Sequence, residues 1–134
     1  RLGKELKRRA DSKMEELQAD GTTTWMNVQY IKTATEQLLE CLTVLKYTYV
    51  KAFYMADEQR KLLFEDQQRR LEQATEDLSE LLDKDATAVH EKRIQVVNMA
   101  GKAKLMLSHI LDDKQELPAA LPPTSASPLS PKPP

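Results

Sequence analysis

The residue pattern predicts an all-α fold: an antiparallel bundle of three to four long helices with a disordered Pro-rich C-terminal tail. Three observations carry this reading. No proline occurs before Pro118 and only 3 glycines occur in 134 residues, so little interrupts a helical backbone ladder. Val28, Ile31, Thr35, Leu38, Leu42, Leu45, Tyr49 and Ala52 follow one another at steps of three and four, the spacing that places side chains on one face of a helix. Short turn signals at residues 20–24 and 56–58 favour antiparallel neighbours.

The first helix is predicted over residues 1–19, with a narrow apolar stripe of Leu2, Leu6, Ala10, Met14 and Leu17. Lys4, Lys7, Arg8 and Arg9 alternate with Glu5, Asp11, Glu15 and Glu16, the pattern of a solvated face rather than a localisation signal. Asp20-Gly21 ends this helix, because glycine tolerates the left-handed conformation that closes many helices. Thr22, Thr23 and Thr24 offer N-cap hydroxyls to the next one.

The second and longest helix is predicted over residues 25–55. Six of the seven aromatic residues lie in it. Trp25, Tyr30, Leu38, Leu42, Leu45, Tyr47, Tyr49 and Phe53, with Phe64 from the following helix, are expected to form the structural core. Each such side chain stabilises by roughly 1.5–3 kcal/mol when buried.

Asp57 is the expected N-cap of a third helix over residues 58–84, with apolar positions Leu62, Leu63, Phe64, Leu71, Ala74, Leu78, Leu81 and Leu82. Its polar middle, Glu65 to Arg70, suits solvent or a partner. Asp85 or Thr87 is expected to cap a fourth helix over residues 88–115, carried by Val89, Val96, Ala100, Ala103, Leu107 and Ile110. Gly101 inside it costs about 1 kcal/mol relative to alanine and suggests close helix–helix approach. From Leu117 onward Pro, Ser, Thr and Ala dominate, so residues 1–115 form the domain and 116–134 a disordered tail.

Composition limits function. Lys plus Arg number 20 against 21 Asp plus Glu, a balance that argues against nucleic acid as the main partner. No stretch approaches the ~20 apolar residues of a membrane span, and the mixed charges argue against a membrane-surface helix. Cys41 stands alone, so it builds neither an intrachain disulfide nor a zinc site with the distant His90 and His109. It points to a reducing compartment. The chain opens on Arg1 rather than Met and reads as part of a longer protein.

Catalytic groups do not converge. There is no Gly-rich phosphate loop, no HExxH and no nucleophile elbow. Glu72, Glu76 and Glu80 line one face of the third helix and read as an acidic, partner-facing stripe rather than an acid–base pair. His90 is expected at the surface and His109 half-buried. Ser127-Pro128, Ser130-Pro131 and the PxxP run from Pro128 to Pro131 are short patterns common in such tails.

The run Leu45-Lys46-Tyr47-Thr48-Tyr49-Val50-Lys51-Ala52-Phe53-Tyr54-Met55 resembles the signature of the Ariadne domain in Ariadne-type RING-between-RING (RBR) E3 ubiquitin ligases. The resemblance continues through Lys13 to Gln18, Trp25, Val28 to Lys32, Leu63 to Gln67 and Leu71 to Ser79. It implies that a RING1, an in-between-RING and a RING2 precede such a domain in the parent protein. Ubiquitin then passes from an E2 to a cysteine of RING2, and the Ariadne domain covers that cysteine until a neddylated cullin–RING ligase or similar partner releases it. By the same resemblance Glu76, with Glu72 beside it, faces RING2. Leu2 keeps an apolar anchor at the start of the first helix, but Gly3 stands where an acidic residue often follows. No cofactor is expected in this chain, with zinc confined to the absent RING domains. The location implied is cytoplasmic, with the nucleus as a second compartment. The alternative reading is a stand-alone helical scaffold or oligomerisation adaptor.

Overall fold

Caps and turns set the element boundaries in the computed structural model, which describes residues 1–19 and 21–120, with side chains through Asp112. α1 (Leu2–Gln18) is followed by Gly21, whose N–H donates to the Gln18 carbonyl at 3.0 Å. Its φ of +80° lies in the left-handed region that glycine enters without a Cβ penalty. Thr24 Oγ1 accepts the Asn27 N–H at 3.3 Å over a single 3-10 turn, Met26–Val28, that leads into α2 (Gln29–Tyr54). The Asp57 carboxylate accepts the N–H groups of Gln59 and Arg60 and starts α3 (Glu58–Leu82).

Asp85, one of the two expected caps, accepts the Ala88 N–H at 2.8 Å. The expected fourth helix is two helices, α4 (Ala86–Glu91) and α5 (Arg93–Ala120). Lys92 between them leaves helical geometry, at φ −103° and ψ 24°. The break follows from tertiary packing: α4 lies against α1, whereas α5 packs on α2 and α3. α5 runs past the expected end at Gln115. Of the expected tail, residues 121–134 lie outside the described residues.

α2, α3 and α5 form the central three-helix body, and α1 packs on α2 and reaches the C-terminal end of α3. α3 follows α2 through a short turn and its Gln68 reaches back to Thr48, so it runs antiparallel to α2. Tyr30 meets His90 just ahead of α5 and Cys41 meets Ala103 within it, so α5 runs parallel to α2. The buried core includes Ile31, Leu38, Leu45, Phe64, Leu71 and Leu78. Tyr30 and Leu42 are half-buried against it.

The aromatic core expected from the sequence is corrected at four positions. Trp25 is 58% exposed and Phe53 76%, while Tyr47 and Tyr49 are each about half exposed. Tyr54, Leu62 and Leu63 also face solvent. The reason is steric. α2 is held between α3 and α5, and it presents Ala34, Cys41 and Thr48, seven residues apart, to that crossing. Small side chains allow close interaxial approach, so the bulky rings lie on the outer side, and Trp25 precedes the helix altogether.

Candidate functional site

Leu2, Glu72 and Glu76 come to one side of the bundle. Leu2 and Leu6 of α1, Ile31, Leu38 and Leu42 of α2, and Leu82 of α3 line a cleft of about 290 Å³, rimmed by Arg9, Lys13 and Asp83. Leu42 and Ser79 are shared with an open groove of about 540 Å³ between α2 and α3, where Tyr49, Arg69, Glu72 and Glu76 stand. The two depressions form a continuous path, apolar at the α1 end and acidic at the α3 end.

Local sequence explains the path. Antiparallel α1 brings Leu2 and Gly3 to the middle of α2, and Lys13 Nζ donates to the Leu82 carbonyl at 2.9 Å, holding α1 across the end of α3. Arg9 meets Asp83 at 3.5 Å. On α3, Leu71, Ala74, Thr75 and Leu78 are buried, which leaves positions 72 and 76 on the flank toward α2. Glu72 is half-buried and accepts the Tyr49 hydroxyl. Glu76 is exposed, so its carboxylate is available to a donor outside the domain. A Cβ built on Gly3 would meet only Leu39 Cδ2, at an ordinary 3.8 Å. Packing therefore does not demand glycine there.

Other singled-out groups lie away from this path. His90 is half-buried and hydrogen-bonded to Tyr30, while His109 is exposed, the reverse of expectation. The difference arises because α4 turns its end toward α2. Cys41 is fully buried, and burial pushes its thiol up, partly offset by hydrogen bonding to Gln37 and Thr75, so it stays protonated at neutral pH. Among the described residues no group of three or more His, Cys, Asp or Glu can hold a metal ion. Among the same residues no helix is long and apolar enough to cross a membrane.

The groove offers carboxylates, a phenol and an adjoining apolar cleft, and among the described residues no nucleophile and base converge in it. Sequence spacing placed Glu72 and Glu76 on one face. Only the fold shows that Tyr49 engages Glu72 and that Leu42 and Ser79 join their groove to Leu2.

Comparison with known proteins gives this surface its context. The family model of the Ariadne domain matches residues 1–115. The chain is 45% identical over 76 residues to E3 ubiquitin-protein ligase ariadne-1 of Drosophila melanogaster, covering 57% of this chain and 15% of that protein. It is 39% identical over 84 residues to E3 ubiquitin-protein ligase dbl4 of Schizosaccharomyces pombe, covering 63% and 17%. It is 44% identical over 73 residues to the human E3 ubiquitin-protein ligase ARIH1, covering 54% and 13%. The matched part is thus a small fraction of each relative. Because the family model spans α1 to α5, the chain belongs to the Ariadne domain family.

Proposed function

We propose that this domain is the autoinhibitory regulatory part of an RBR-type E3 ubiquitin ligase. It packs on RING2 of the same protein, masks the catalytic cysteine, and is released by a neddylated cullin–RING ligase or a similar partner. The observation that carries the reading is the joined path: the apolar Leu2 end and the exposed Glu76 carboxylate lie along one surface. Relatives named E3 ubiquitin-protein ligases support it. Catalysis, zinc and the E2 carrying ubiquitin then belong to the rest of the parent protein, in the cytoplasm or nucleus.

An apolar anchor with a charged hydrogen bond suits a clasp that must open. An intramolecular interface worth a few kcal/mol keeps the closed form dominant, and a partner with greater affinity for the open form shifts the balance. The test is Glu76→Ala in the intact parent ligase. Ubiquitin transfer rises, while stability changes by no more than about 0.5 kcal/mol because the side chain is exposed. Unchanged transfer by the folded variant overturns the proposal.

A further inference from the structure

The outer face of α5 is unlike an ordinary solvated helix surface. Val96, Ala103, Leu107 and Ile110 pack into the bundle. About half a turn around the axis, at 3.6 residues per turn, Ile94, Val97, Gly101 and Leu105 follow at steps of three and four along one stripe. Ile94 is 70% exposed, and Val97 and Leu105 are each more than half exposed. A helix that is apolar on opposite sides has the pattern of one buried between two layers. Here the bundle covers one side only.

Gly101 stands at the middle of that stripe. A Cβ built there would meet nothing within 4 Å, so packing within the domain does not require glycine, although glycine costs about 1 kcal/mol relative to alanine inside a helix. The missing side chain allows another helix to approach most closely at this point. Charge selects which helix. Between Glu91 and Asp112, α5 carries Arg93, Lys102, Lys104 and His109 and no carboxylate. Lys102 and Lys104 are exposed on either side of Gly101. A second copy of α5 would bring the same cations together, whereas acidic flanks would complement them.

We infer that Ile94 to Leu105 is a docking strip for an amphipathic helix of a second protein, whose apolar seam is flanked by Asp and Glu. At 1.5 Å per residue the strip is about 16 Å long, or three helical turns. No α5 residue lines the α2–α3 groove, so both surfaces can be occupied at once.

The test uses the full chain and a stapled synthetic helix of about four turns with a Leu/Ala seam and Glu flanks, alongside its Lys-flanked twin. Backbone amide shifts are expected between Arg93 and Ser108 with the Glu-flanked peptide only. Gly101→Leu, which remains folded because the site is open, weakens binding at least about tenfold. Lys102→Glu with Lys104→Glu reverses the preference between the two peptides. Glu76→Ala leaves peptide affinity unchanged, which separates this inference from the ligase reading. The inference is overturned by shifts centred on the α2–α3 groove, by no shifts at all, or by concentration-dependent broadening of the α5 stripe without peptide, which would mark a second copy as the occupant.

Discussion

The Tyr30 hydroxyl and His90 Nδ1 lie 2.9 Å apart, with ring centroids 5.9 Å apart and planes inclined by 29°. Tyr30 is on the first turn of α2 and His90 near the end of α4, so this contact ties the short helix to the central one. The direction of the hydrogen bond follows the imidazole tautomer. Burial pushes the Tyr30 phenol up to about 12, with the positive charge of Arg93 acting the other way. The phenol of an unfolded chain ionises near 10. Between about pH 10 and 12 unfolding therefore releases a proton, so this group's contribution is complete below pH 10 and is lost as pH rises toward 12. In an ultraviolet titration Tyr30→Phe is expected to remove an ionisation near pH 12. A titration curve unchanged by that substitution in the alkaline range would contradict this.

Thr48 and Gln68 form a buried polar pair across the α2–α3 seam. Gln68 Nε2 donates to Thr48 Oγ1 at 2.9 Å, and that hydroxyl donates to the Leu45 carbonyl at 2.7 Å. Thr48→Val keeps the shape but leaves the Gln68 amide without its acceptor, at a cost of about 1–3 kcal/mol. Thr48→Val with Gln68→Leu is expected to recover part of that loss, because both partners are then apolar. Urea unfolding of the two single variants and the double variant measures the coupling; purely additive losses would rule it out.

Two glycines should respond in opposite directions to alanine. At Gly21, φ is +80°, where a Cβ is strained by about 1–2 kcal/mol. At Gly101 the helix is regular and the site open, so alanine adds about 1 kcal/mol. Thermal unfolding of Gly21→Ala and Gly101→Ala reads both signs, and a loss of stability at position 101 would show that the site is not open.

The two phenylalanines separate core from surface. Phe64 is fully buried, with Lys51 Nζ 5.1 Å from its ring centroid, and Phe64→Ala is expected to cost about 3–5 kcal/mol. Phe53 is exposed and stands edge-to-face with exposed Tyr54, the ring centroids 5.1 Å apart. Phe53→Ala is expected to change stability by no more than about 0.5 kcal/mol. Comparable losses at both positions in chemical denaturation would contradict the placement of the α2 aromatics.

Much of the helical layout was legible. Local chemistry alone marks the end of α1 at Gly21 and the start of α3 at Asp57, because a positive φ and a cap carboxylate act over only a few residues. The step of three and four found Ile31, Leu38 and Leu45, and the same spacing put Glu72 and Glu76 on one face. The Ariadne resemblance, too, was carried by residue order alone.

Three-dimensional packing decided the rest. Periodicity reports which residues share a face but not which face meets a neighbour closely. At the crossing of α2 with α3 and α5, Ala34, Cys41 and Thr48 are buried while Tyr47, Tyr49 and Phe53 point outward. The break at Lys92 has no proline or glycine to announce it; it arises because α4 and α5 pack against different helices. The path from Leu2 to Glu76 likewise exists only once α1 lies antiparallel beside α2. Caps and spacings are properties of neighbours along the chain, whereas closeness between helices depends on side-chain volumes from separate segments meeting in space.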